Sequence, residues 1–72
     1  MRETIEVFQT NVQEVSQAEK IIDLLLQHFP ESKINFDLED CDKVLRIEGY
    51  NFIIPKIIKL VNETGFTCKV ME

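Results

Sequence analysis

Residues 32–48, SKINFDLEDCDKVLRIE, hold two short alternating runs on either side of a charged cluster. In the first, Ile34, Phe36 and Leu38 fall on one side, and Lys33, Asn35 and Asp37 on the other. In the second, residues 43–48, Leu45 and Ile47 face one way and Arg46 and Glu48 the other. A period of two is that of a strand with one buried face. Glu39-Asp40-Cys41-Asp42 reads as a charged turn, so the two runs are expected to form a hairpin.

Beyond Gly49 a helix is expected to begin near Ile53 or Ile54. Pro55 sits in its first turn, where the missing N–H has no intrahelical partner to lose. Ile54, Ile57, Ile58 and Val61 form its apolar stripe, with Lys56, Lys59 and Asn62 turned to water. Gly65 stands where a left-handed C-cap belongs. Phe66, Cys68 and Val70 then alternate with Thr67, Lys69 and Met71 as a last strand.

On the other side of the hairpin, residues 3–8 also alternate. Ile5 and Val7 are expected to face the core, with Thr4, Glu6 and Phe8 opposite. Residues 9–16 read as a polar connection interrupted by Val12 and Val15. Ser16-Gln17-Ala18-Glu19 has the form of a capping box, the Ser16 hydroxyl accepting from the Glu19 N–H and the Glu19 carboxylate from the Ser16 N–H. Ala18, Ile21, Ile22, Leu25 and Phe29 follow at helical spacing, widened by Leu26, with Gln17, Lys20, Asp23 and Gln27 on the wet face. Pro30 marks the stop.

The order β-α-β-β-α-β fills all 72 residues as one domain. Right-handed crossovers put both helices on one face of a four-stranded antiparallel sheet. The expected fold is therefore α+β, a ferredoxin-like βαββαβ sandwich. A domain of this length buries only ~60% of the surface its unfolded chain exposes, so each core residue counts.

The net charge is −5, from 13 acidic and 8 basic residues. Phosphate backbones repel such a chain, so no nucleic-acid partner is expected. No apolar run approaches the ~20 residues of a membrane span, and Met1-Arg2-Glu3-Thr4 opens without a signal-peptide core. The expected location is the cytoplasm, without a membrane partner. Cys41 and Cys68 match no metal or redox spacing and read as two reduced thiols in that compartment.

Length, element order and the closing Glu63-Thr64-Gly65-Phe66 resemble the heavy-metal-associated domain family, the copper-chaperone-like fold. That resemblance implies a Met-Thr-Cys-x-x-Cys loop at the start of the first helix, whose two thiolates hold a soft ion such as Cu(I) or Zn(II). An apolar core residue falls four positions after the family's second cysteine. With Ile22 in that place, the cysteine positions are Val15 and Ala18, and Met-Thr becomes Gln13-Glu14. Neither ligand is present, so the resemblance carries the fold without its CxxC metal site. No cofactor is expected.

Other constellations are sparse. Asp37, Glu39, Asp40 and Asp42 crowd one turn but lack the glycine and distal glutamate of a calcium loop. His28, the single histidine, lies at the end of the first helix, where its positive form suits the helix dipole. No nucleophile–base pair or phosphate loop appears, so an enzyme is not expected. RNA-recognition motifs share this topology, but Phe8 alone among mixed charges on the open sheet face makes a poor stacking platform.

The expected role is a non-enzymatic binding or interaction module whose partner is another protein, the chain itself being a monomer or weak homodimer. Val12, Gln13, Glu14 and Val15 in the first loop are the candidate contact residues. Val12 and Val15, with Tyr50 and Phe52, are the apolar residues left least well buried; they read first as capping the open end of the core, with a contact patch for another protein as the alternative. Two other readings remain: heavy-metal binding or transport through a non-standard site using Cys41, Cys68 or His28, and a regulatory small-molecule domain of the ACT type.

Overall fold

The computed structural model describes residues 3–50 and 52–71. The hairpin forms: β2 (Lys33–Asp37) pairs antiparallel with β3 (Val44–Gly49), Lys33 opposite Glu48 and Asp37 opposite Val44. β1 (Thr4–Thr10) pairs antiparallel with β3 on one side and with β4 (Cys68–Val70) on the other. The order across the sheet is β2-β3-β1-β4. α1 (Val15–His28) joins β1 to β2, and α2 (Ile54–Glu63) joins β3 to β4. The result is an α+β unit with a four-stranded antiparallel sheet and two helices, compatible with a ferredoxin-like fold.

Directly opposed residues of an antiparallel pair share a face. Phe8 lies opposite Leu45 on one side and Val70 on the other, and Thr10 opposite Cys68. That face carries the core. Phe8, Leu45 and Ile47 are fully buried with Ile21 and Leu25 of α1 and Ile57 and Val61 of α2. Each contributes about 1.5–3 kcal/mol by leaving water.

This corrects the first strand. Ile5 and Val7 were expected inside and Phe8 outside, yet Phe8 is 0% exposed and Ile5 51%. The run Thr4–Phe8 is apolar on both faces, so its alternation has two solutions one residue apart, and a one-residue slip exchanges the faces. Phe8 has the larger apolar surface and sits between Leu45 and Val70, which decides the phase. The open face of β1 is accordingly Ile5, Val7 and Gln9, and the aromatic expected there is absent from it.

The first helix also starts earlier than expected. Ala18 N–H already donates to the Glu14 carbonyl at 3.0 Å, so Ser16 lies within the first turn. The capping side chain is Gln17, whose Oε1 accepts from the N–H of Glu14 at 3.3 Å and of Gln13 at 3.4 Å. With β1 running on to Thr10, the connection shrinks from residues 9–16 to residues 11–14. Phe29 N–H closes the helix on the Leu25 carbonyl at 2.7 Å, just before Pro30.

In α2, Pro55 occupies the first turn as expected, and Leu60 joins the buried stripe beside Ile57 and Val61, while Ile54 and Ile58 are half-buried. Gly65 takes φ +95° after the helix, the left-handed conformation that suits glycine. No helix among the described residues is long and apolar enough to cross a membrane.

Candidate functional site

The turn between β2 and β3 is tied down from several sides. Asp42 N–H donates to Asp40 Oδ1 at 2.9 Å and Lys43 N–H to the Asp40 carbonyl at 3.0 Å. Lys43 takes φ +50°, and its ammonium donates to the Leu38 carbonyl at 2.9 Å. From β1, Gln9 Nε2 donates to Asp42 Oδ1 at 3.1 Å. The buried Thr10 hydroxyl donates to the Lys43 carbonyl at 2.6 Å and accepts from Val12 N–H at 3.3 Å. Asn11 Oδ1 accepts from Thr67 N–H at 2.8 Å, which ties the first loop to the approach of β4.

These bonds decide the fate of the four expected contact residues. Val12 is drawn under the loop by Thr10 and is 0% exposed. It is a core residue and offers no surface to a partner. Gln13 and Glu14 are exposed, and Val15 is 66% exposed at the first position of α1. Phe52 packs half-buried against the core, and Tyr50 is 49% exposed.

Val15 opens onto a groove of about 390 Å³ between α1 and β2. Ala18 and Ile22 line it from the helix, Phe36 and Leu38 from the strand and its exit, and Glu19, Asp37 and Glu39 supply carboxylates. β2 is an outermost strand of the sheet, so the half-buried side chains Ile34, Phe36 and Leu38 have core on one side only. Sequence reasoning placed Ile22, Phe36 and Leu38 in the core. Recognising them as a groove wall needs the strand order, which no local pattern encodes.

Cys41, Cys68 and His28 do not come together. Cys41 is exposed in the turn, while Cys68 is buried at the start of β4, on the core face opposite Thr10. Burial pushes the Cys68 thiol up to about 12 from its ordinary value of 9.0, which disfavours the thiolate a metal would need. His28 sits at the opposite end of the sheet, beside a small hollow shared with Phe29, Pro30, Ser32 and Tyr50. Asp40, Cys41 and Asp42 do place one ligand atom each within 4.8 Å of one another. Both carboxylates already accept hydrogen bonds there, from Asp42 N–H and from Gln9.

No known protein family, curated protein or solved structure matches the chain.

Proposed function

We propose that the chain is a non-enzymatic interaction module on a ferredoxin-like βαββαβ framework, with another protein docking at the groove between α1 and β2. The observation that carries this reading is the 66% exposure of Val15 at the mouth of an apolar groove with a carboxylate rim. A lone exposed valine means little, but one continuous with Ile22, Phe36 and Leu38 makes a patch that a partner can cover. The rim favours a partner that brings an apolar side chain and a positive charge together. Gln13 and Glu14 are exposed in the loop just before Val15.

The test is affinity capture from the source cell by the tagged chain and by Val15→Asp, with circular dichroism as the folding control. A protein retained by the parent and lost by the variant supports docking at the groove. Identical captured sets overturn it.

A metal-handling reading draws on the proximity of Asp40, Cys41 and Asp42. Titrating the reduced, isotope-labelled chain with Cu(I) and then Zn(II) decides it. Saturable amide shifts confined to residues 40–42 would favour metal handling over docking.

A further inference from the structure

We propose that the outer edge of β2 pairs with β2 of a second copy, antiparallel, about a twofold axis through Asn35, joining two four-stranded sheets into one of eight. The inference goes beyond the docking reading, which concerns another protein at the neighbouring groove, and names the occupant of the strand edge itself.

The argument is the strand's own sequence. β2 reads Lys33-Ile34-Asn35-Phe36-Asp37, and its outer side has no neighbouring strand among the described residues. Laid antiparallel on itself about Asn35, it sets Lys33 against Asp37, Ile34 against Phe36 and Asn35 against its own copy. The same contacts recur in reverse on the other half, as an isologous interface requires. Faces agree as well. Lys33, Asn35 and Asp37 are exposed on the open face, while Ile34 and Phe36 lie on the core face, half-buried. The pairing therefore puts opposite charges together in water and apolar side chains together over the extended core, the two arrangements that stabilise cross-strand pairs.

Neighbouring registers fit less well. Faces match only when the register moves by whole residues of the axis position. An axis at Phe36 pairs only residues 35–37 within the strand and sets Asn35 against Asp37. An axis at Ile34 pairs only residues 33–35 and brings Glu31 against Asp37. The axis at Asn35 alone pairs the whole strand. A chain usually guards such an edge with unmatched charges; here the two charges match those of the opposing copy. Two chains of net charge −5 repel at long range, which makes the dimer weak and salt-sensitive.

The experiment is sedimentation velocity from about 1 µM to about 1 mM on four chains: the parent, Lys33→Asp, Asp37→Lys and the double reversal. The parent and the double reversal are expected to dimerise alike. Each single reversal converts two attractive pairs into two repulsive ones and is expected to weaken association by about tenfold or more. Asp37→Lys is the sharpest arm. It moves the net charge from −5 to −3 by exchanging one negative for one positive, so global repulsion alone would strengthen the dimer. A parent that stays monomeric, or four chains that associate equally, overturns the proposal.

A second variant, Cys41→Ser with Asn35→Cys, is expected to form a disulfide across the axis under mild oxidation, since opposed residues lie within disulfide reach. Absence of that cross-link overturns the register. A monomeric parent whose captured partner still depends on Val15 would overturn self-pairing alone and leave the docking reading standing. Loss of the Val15 dependence would count against the docking reading instead.

Discussion

At the β2–β3 turn, side chains from β1 reach across to satisfy the turn's polar groups: the Thr10 hydroxyl at the Lys43 carbonyl and the Gln9 amide at the Asp42 carboxylate. A few residues away, the outer edge of β2 has no neighbouring strand among the described residues, and Ile34, Phe36 and Leu38 lie only half under cover. Both regions belong to the hairpin, but the turn is acidic while β2 carries one lysine and one aspartate. The turn spends its polar groups internally, which leaves them little to offer a ligand. The edge leaves backbone and apolar groups available together, which is what strand addition uses. Charge density alone therefore points to the wrong part of this molecule, and the state of the hydrogen bonds separates the two.

The comparison can be broken most severely through Phe8. Phe8→Ala removes a fully buried ring between Leu45 and Val70 and is expected to cost about 3–5 kcal/mol in denaturant unfolding. Ile5→Ala, on the open face, is expected to cost less than about 1 kcal/mol. The reverse ranking would restore the opposite phase of β1.

Cys68 tests the closed region by pH. Its thiol stays neutral in the fold up to about 12, while the unfolded chain ionises near 9.0. Between those values the unfolded state holds fewer protons, so stability is full below pH 9.0 and falls as the pH rises toward 12. Chemical denaturation of the parent and of Cys68→Ala across that window should show the fall in the parent and a smaller one in the variant. In thiol labelling of the folded chain, Cys41 should react promptly and Cys68 only on unfolding.

Thr10→Val keeps the shape but leaves the Val12 N–H without its acceptor, while the Lys43 carbonyl keeps the Thr10 N–H at 3.2 Å; the expected loss is about 1–3 kcal/mol by thermal or denaturant melting. Gly65→Ala meets no atom within 4 Å but must hold φ +95°. The expected loss is about 1 kcal/mol, from backbone strain alone. Val15→Asp, at the edge region, should change stability by no more than about 0.5 kcal/mol while abolishing capture of the docking partner. A large stability loss there would mean that Val15 belongs to the core after all.

Much of the architecture is local enough to read from the chain. Two clean alternations around a charged turn give the hairpin, Pro55 and Gly65 bracket α2, and Ala18, Ile21 and Leu25 lie on the buried stripe of α1. What escapes reading has a physical cause in each case. Thr4–Phe8 carries apolar side chains on both faces, so its phase depends on which neighbours it meets. Ser16 is a sound cap in isolation, but Gln17 serves the backbone one residue before the helix, and the start moves back to Val15. The groove depends on β2 being outermost, a consequence of how four distant segments assemble. Val12 was set in a loop long enough to be exposed. The real loop is shorter, and Thr10 holds Val12 inside it.

Dilution of the isotope-labelled chain from about 1 mM to about 10 µM, followed by its backbone amide shifts, tests most directly whether the β2 edge is the working surface. Concentration-dependent shifts centred on residues 33–37, with smaller ones at Val15 and Ile22, are the expected result. Shifts centred on the turn residues 40–43, or none across the series, would contradict it.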